Sequence, residues 1–268
     1  MRFLLQILLL ALLPWLTACS STSSGPEHDE NAHPLQRFAM DVADDYQAAY
    51  STENLLGMVP YVAGHALLSN TNADRWIRDT WQADWRTENG DDFFHNFERV
   101  GDYAQNRWSV PLYSLGMLAG GYRGEDDDSW LATWASRSLR ANLLAGPQGW
   151  ALTYAIGSHR PDVGTSGWHP WNDNDGVSGH SIYGSIPFLT AARMAESPVA
   201  RYSLYAASVL PPLARINFND HYTSQAWLGW ALAFHATAII ADQSGDERVG
   251  WMLLPLPGGG IATLRVSF

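Results

Sequence analysis

The sequence predicts an all-α fold, a helical bundle finished by a small C-terminal β-hairpin. Apolar residues recur at three- and four-residue steps along most of the chain. Clusters of Gly, Asn and Asp interrupt them, as at Glu88-Asn89-Gly90-Asp91 and between Gly121 and Asp128. Only residues 248–268 change period, with two short apolar runs around a glycine turn. The 268 residues are 46% hydrophobic and 12% aromatic, which supplies a core and excludes general disorder.

Residues 1–18 carry one positive charge, an apolar run and a small residue before a cut, the pattern of a secretory signal peptide. The run is short for a membrane span. Leu16-Thr17-Ala18-Cys19 resembles the bacterial lipobox, in which the Cys is diacylated and becomes the mature N-terminus. Ser20 after it resembles the outer-membrane sorting rule. The resemblance implies a protein of the bacterial cell envelope, anchored by lipid at Cys19 and facing the periplasm from the outer membrane. Residues 19–33 then form the lipidated Cys and a flexible tether.

The remainder, 34–268, reads as a single domain. Leu35, Phe38, Val42, Tyr46 and Ala49 mark one face of a helix over 34–50. Similar patterns predict helices over 53–68, 72–86, 91–105, 108–120 and 128–145. A further helix runs from 148 to His159 and stops there, because Pro161 disfavours helical geometry at the residue before it. Residues 162–177 form a long polar loop. Helices over 179–195, 198–213 and 219–242 follow. The last is apolar on nearly every side from Ala226 to Ala241, which predicts a central, buried helix.

Charge and cysteine content exclude whole classes of function. Lys plus Arg number 16 against 27 Asp plus Glu, a net charge of −11 that offers no basic face to nucleic acid. The single Cys excludes a disulfide framework within the chain and any multi-cysteine metal site.

Three pieces then carry chemistry: Arg160-Pro161, Ser178-Gly179-His180, and Arg215 followed six residues later by His221. In this order they resemble the type 2 phosphatidic acid phosphatase and vanadium haloperoxidase superfamily. That family has a Lys, six residues and Arg-Pro; later Pro-Ser-Gly-His; later Ser-Arg, five residues, His, three residues and Asp. The chain departs with Thr153 for the Lys, Val177 for the Pro, Ala214 for the Ser and Gln225 for the Asp. The resemblance spans about residues 108–242. It implies a bundle of the phosphatidic acid phosphatase and haloperoxidase type, with His221 as nucleophile and His180 as the acid that protonates the departing alkoxide.

The chemistry fits those residue types. Phosphoryl transfer needs an in-line nucleophile and fixed positive donors around three equatorial oxygens. Arg160 and Arg215 are forked, permanently charged donors. Ser178 and Gly179, opening a helix, add a hydroxyl and backbone N–H groups. Gln225 and His221, four apart at the start of the last helix, are expected on one face, with the amide accepting from Nδ1–H. A neutral amide answers an imidazolium weakly, so Gln225→Asp is expected to raise turnover about tenfold. Thr153, two helical turns before Arg160, is expected to offer its hydroxyl to phosphate.

Other residues read as structural. His65, His95 and His235 stand alone in apolar or mixed helices. His159 and His169 flank the polar loop and are the next candidates to touch substrate. The run from Asn172 to Gly176 lacks the first and twelfth acids of a calcium loop, at Trp171 and Ile182, and reads as a solvated turn. The expected activity is phosphatase hydrolysis of a phosphomonoester or pyrophosphate, with no metal or other cofactor. A phosphorylated lipid or polyprenyl phosphate is favoured over a small soluble ester. The alternatives are a haloperoxidase binding vanadate, or a non-catalytic lipoprotein that binds phosphate in the same pocket.

Overall fold

Serine side chains open three of the helices. The Oγ atoms of Ser51, Ser129 and Ser178 accept from the N–H groups of Asn54, Ala132 and Ser181 at 3.3, 3.4 and 3.3 Å, each satisfying a donor the helix leaves free. The computed structural model describes residues 33–105, 108–124, 129–244, 249–256 and 259–266. The expected signal peptide, Cys19, the tether up to residue 32 and the acidic run Glu125 to Asp128 lie outside the described residues.

The helices are α1 (Pro34–Ala49), α2 (Thr52–Ser69), α3 (Ala73–Thr80), α4 (Glu88–Gln105), α5 (Ser109–Gly120), α6 (Trp130–Ile156), α7 (Gly179–Met194), α8 (Pro198–Ala207), α9 (Leu210–Asn217) and α10 (Thr223–Gln243). The fold is all-α apart from β1 (Val249–Leu256), which pairs antiparallel with β2 (Gly259–Val266), Val249 opposite Val266 and Leu256 opposite Gly259. Helix α10 runs through the middle, packed on α7, α6 and α2. Leu228, Leu232 and Ile240 from α10, Ile182, Ile186 and Leu189 from α7, and Leu144 from α6 form the main core. Among the described residues, no helix is long and apolar enough to cross a membrane.

The boundaries differ from expectation in several places. The two helices expected over 128–145 and 148–159 are one, α6, which runs on through Pro147. A helical proline leaves the carbonyl four residues before it without its N–H donor. Here that carbonyl, Leu143, accepts instead from the Tyr46 hydroxyl of α1 at 2.6 Å. Helix α6 also stops earlier, at Ile156, because Gly157 turns left-handed at φ +60°, where a Cβ would run into the carbonyl of His169. The helix expected over 72–86 changes at Trp81 to a π-turn, Trp81–Trp85. The one expected over 198–213 breaks at Ser208 and Val209 and resumes as α9 to Asn217, and the last helix begins at Thr223 rather than 219.

The N-terminal helices brace this core with polar contacts. Arg140 of α6 is buried against Asp45 of α1, with Nε 2.6 Å from one carboxylate oxygen. Asp74 of α3, fully buried, accepts from the Ser224 N–H at 2.9 Å and so caps the start of α10.

Candidate active site

The polar loop, which runs from 157 to 178, is fastened from behind by His65 of α2. Trp168 Nε1 donates to His65 Nδ1 at 2.9 Å, which leaves His65 Nε2 carrying the proton it gives to the Gly176 carbonyl at 3.0 Å. Ser166 Oγ donates to the Ser69 carbonyl at 3.1 Å. His65 is thus a satisfied core histidine, held neutral as burial pushes it down to about 4. The loop's own backbone returns to α6, with the Trp171 N–H on the Tyr154 carbonyl at 2.9 Å.

Against that wall stands Gln225, fully buried in the first turn of α10. Its Nε2 donates to the His159 carbonyl at 2.7 Å and to Ser158 Oγ at 3.1 Å. Ser158 passes its own proton to the Ser166 carbonyl at 2.6 Å, so its oxygen is free to accept. On the other side, Gln225 Oε1 takes the Tyr222 N–H at 3.1 Å and faces His221 Nδ1 at 2.9 Å. Turning the amide over would set NH₂ against N–H and oxygen against carbonyl, so its orientation is fixed by four neighbours. His221 Nδ1 must therefore carry the hydrogen, and Nε2 keeps the lone pair. The pair meets as expected but not along a helix face, because His221 precedes the N-cap Tyr222 and the amide reaches back in a capping arrangement.

His221 is buried and neutral. Burial first, then Arg160 and Arg215, push it down to about 3. Ser178 joins this cluster through its N–H, which donates to the Gln225 carbonyl at 3.1 Å, while its hydroxyl caps α7. Helix α10 comes this close because residue 229 is glycine, where a Cβ would stand 2.5 Å from the Ser178 carbonyl oxygen. Gly179 and His180 form the first turn of α7, with Gln105 of α4 lying against Gly179.

His180 packs on Gly101 of α4 and bonds Asp102 through Nε2 at 2.8 Å. Burial and Arg215 lower its pKa below the usual 6.5, and Asp102 opposes them. With Asp102 accepting at Nε2–H, the transferable proton of the charged ring sits on Nδ1. Arg215, buried at the end of α9, holds Glu98 at 2.9 Å and Asp220 at 3.0 Å. Arg160, partly exposed, holds Asp175 at 2.6 Å. Burial raises the Asp220 pKa, against the pull of Arg215.

Of the expected site residues, His221, Gln225, Arg160, Arg215, His180, Ser178 and Gly179 come together in this region. Thr153 does not serve as expected. Helix α6 ends before Arg160, so the two do not share a face, and the Thr153 hydroxyl accepts from the Val177 N–H at 3.0 Å and donates to the Val177 carbonyl at 3.3 Å. The run from Asn172 to Gly176 is a turn exposed at Asn172 and Asn174, in which Asp175 holds Arg160 and Asp173 bonds His159, whose ring lies 5.1 Å from that of His169. His95 contacts Glu98 at 3.2 Å. Among the described residues, no group of three or more His, Cys, Asp or Glu is placed to hold a metal ion.

Sequence reading missed the carboxylates. Glu98 and Asp102 lie 117 and 78 residues from their partners Arg215 and His180, and no local spacing signals such a pairing. They are one helical turn apart on α4, a faint hint that this face is polar. Comparison with protein-family models, with curated proteins and with solved structures found no match.

Proposed function

We propose that the chain is an envelope phosphatase, lipid-anchored at Cys19, that hydrolyses a phosphomonoester or pyrophosphate through a phosphohistidine at His221 Nε2. Lipid and polyprenyl phosphates are the favoured substrates, and the bundle is taken as one of the phosphatidic acid phosphatase and haloperoxidase type. The observation that carries this reading is the locked amide of Gln225. It sets a buried, neutral imidazole with its lone pair on Nε2, the state a nitrogen nucleophile requires.

In the first step the Nε2 lone pair forms the bond to phosphorus as the phosphorus–oxygen bond to the leaving group breaks. His180, as imidazolium, gives its proton to that oxygen. Arg160, Arg215 and the N–H groups at the start of α7 stabilise the three equatorial oxygens. A water then attacks phosphorus, returning its proton to His180 and releasing inorganic phosphate and neutral His221. Gln225 acts through His221 throughout and is a positioning residue.

One observation favours a non-catalytic phosphate-binding reading: Asp175, Glu98 and Asp220 pair with the two guanidiniums and offset positive charge that would stabilise a transition state. Phosphate release from a panel of lipid and soluble phosphates, beside a His221→Ala chain and trapping of phosphohistidine by an alkaline denaturing quench, separates the two. Turnover with a trapped adduct that vanishes in His221→Ala is expected. Equal release by the His221→Ala chain overturns the mechanism, and no release from any substrate favours the binding reading.

A further inference from the structure

Helix α5 is amphipathic in the reverse sense for a helix that faces water. Its inner side carries Ser109 and Tyr113, and Gly120 lies so close to α6 that a Cβ would stand 2.6 Å from the Ala132 nitrogen. The outward positions are Val110, Pro111, Leu112, Leu115, Leu118 and Ala119, all exposed, and Leu118 is 79% exposed. No charged residue occurs from Trp108 to Tyr122.

Two further observations say what covers this face. The helix is 12 residues long, about 18 Å, so it can lie along a bilayer and cannot cross one. An exposed Trp108 stands at one end and an exposed Arg123 just beyond the other, residue types that settle at headgroup level. The N-terminal chain also ends here. Arg37, in the first turn of α1, donates to the Arg123 carbonyl at 3.0 Å, and the Phe38 ring meets Tyr122 edge-on at 6.4 Å. Residue 33, where the described chain begins, therefore lies beside the C-terminal end of α5, fourteen residues after Cys19 in the sequence.

We infer that α5 seats on the surface of a zwitterionic phospholipid bilayer, its leucines entering the acyl boundary and its axis parallel to the membrane. The tether argument rests on the proposed lipidation of Cys19; the apolar outer face does not. The net charge of −11 and the acids from Glu125 to Asp128 that follow in sequence oppose an anionic surface, so apolar burial is the driving force. The contact holds the domain by two points, the acyl anchor and α5, and so fixes which side of the domain faces the headgroups.

The test uses the full chain with Cys19→Ser, which removes its single cysteine, and one new cysteine bearing an environment-sensitive fluorophore. Leu115→Cys reports on α5, and Val199→Cys, 77% exposed on α8, is the control. Vesicles of phosphatidylethanolamine and phosphatidylcholine, with and without nitroxide-labelled acyl chains, are added. A several-fold rise in fluorescence at 115, quenched by the nitroxide and absent at 199, is expected. Equal responses at the two positions, or none, overturn the inference. A rise at 115 without vesicles that grows with protein concentration assigns the face to a second copy and also overturns it. In the chain with native Cys19, Leu112→Asp with Leu118→Asp should weaken vesicle partition about tenfold or more and leave turnover of a soluble phosphate ester unchanged. Acyl incorporation at Cys19 and phosphate release are scored separately, so failure of the anchor or phosphatase reading is distinguishable from failure of this one.

Discussion

Gln225 Oε1 lies 2.9 Å from His221 Nδ1, while the nitrogen of the same amide lies 2.7 Å from the His159 carbonyl oxygen. One side chain thus couples the candidate nucleophile to the loop that carries Arg160. A carboxylate could serve the first contact and not the second, because it has no hydrogen to donate.

That geometry revises the expectation for residue 225. Gln225→Asp is too short for both contacts and loses both donors, so the tenfold gain is not expected. We predict lower turnover and a loss of about 1–3 kcal/mol in stability, from buried acceptors left unmet. Gln225→Leu should cut turnover by about a hundredfold or more, since nothing then selects the tautomer. Nitrogen NMR of His221 beside phosphate release checks both. A Leu variant with native tautomer and native turnover would remove Gln225 from the mechanism.

Activity should favour mild acid. His221 attacks when neutral, and its pKa is pushed down to about 3; His180 donates when protonated, and its pKa lies below 6.5. The two requirements overlap between those values, so kcat/KM is expected to rise as pH falls below 6.5. Asp102→Asn removes an influence that raises the His180 pKa and should move the alkaline limb to lower pH. An alkaline limb unmoved by Asp102→Asn would argue against His180 as the acid.

Stability should run the other way. His65 and His235 are both pushed down by burial to about 4, so the folded chain binds fewer protons than the unfolded one between about 4 and 6.5. Stability from these groups is complete above 6.5 and is lost as pH falls through that window, by up to about 3 kcal/mol for each. Urea midpoints should decline below pH 6.5, and His65→Gln should flatten the decline. An unchanged slope in that variant would show that His65 does not carry it.

The carboxylates should weaken anion binding. Asp175→Asn frees the partly exposed Arg160, and a pair of that kind is worth no more than about 1 kcal/mol. Vanadate or phosphate should then bind up to about fivefold tighter. Glu98→Gln, at the buried Arg215, should have the larger effect. Calorimetric titration with inorganic phosphate checks this, and weaker binding in both variants would mean that the acids help position the ligand.

Thr153→Lys, which adds a positive charge two turns from Arg160 in sequence, should not raise turnover. The hydroxyl holds both backbone groups of Val177, so the change costs about 1–3 kcal/mol and should lower turnover by loosening the Ser178 turn. Thr153→Val should show the same stability loss without the charge. Higher phosphate affinity in Thr153→Lys alone would show that the position reaches the anion after all.

Much of this was legible because the motifs are local. Ser178 capping α7, and His221 meeting Gln225, follow from short spacings. Even so, the second pair meets through a cap rather than along a helix, a distinction that periodicity does not carry. Pro147 misled because the donor that replaces its missing bond, Tyr46, belongs to another helix. Thr153 misled because Gly157, not Pro161, ends α6. Glu98, Asp102 and Asp175 were illegible as partners, since their roles exist only once α4 and the loop are packed against α7 and α9.

The bond between Asp74 and the Ser224 N–H closes a loop of 150 residues, and it sits at the start of the helix that positions Gln225. Contacts of such long range form late, after the entropy of bringing the two segments together has been overcome. A complete but unfolded chain therefore has every candidate catalytic side chain and no assembled site. On this account the proposed chemistry begins only once folding is completed.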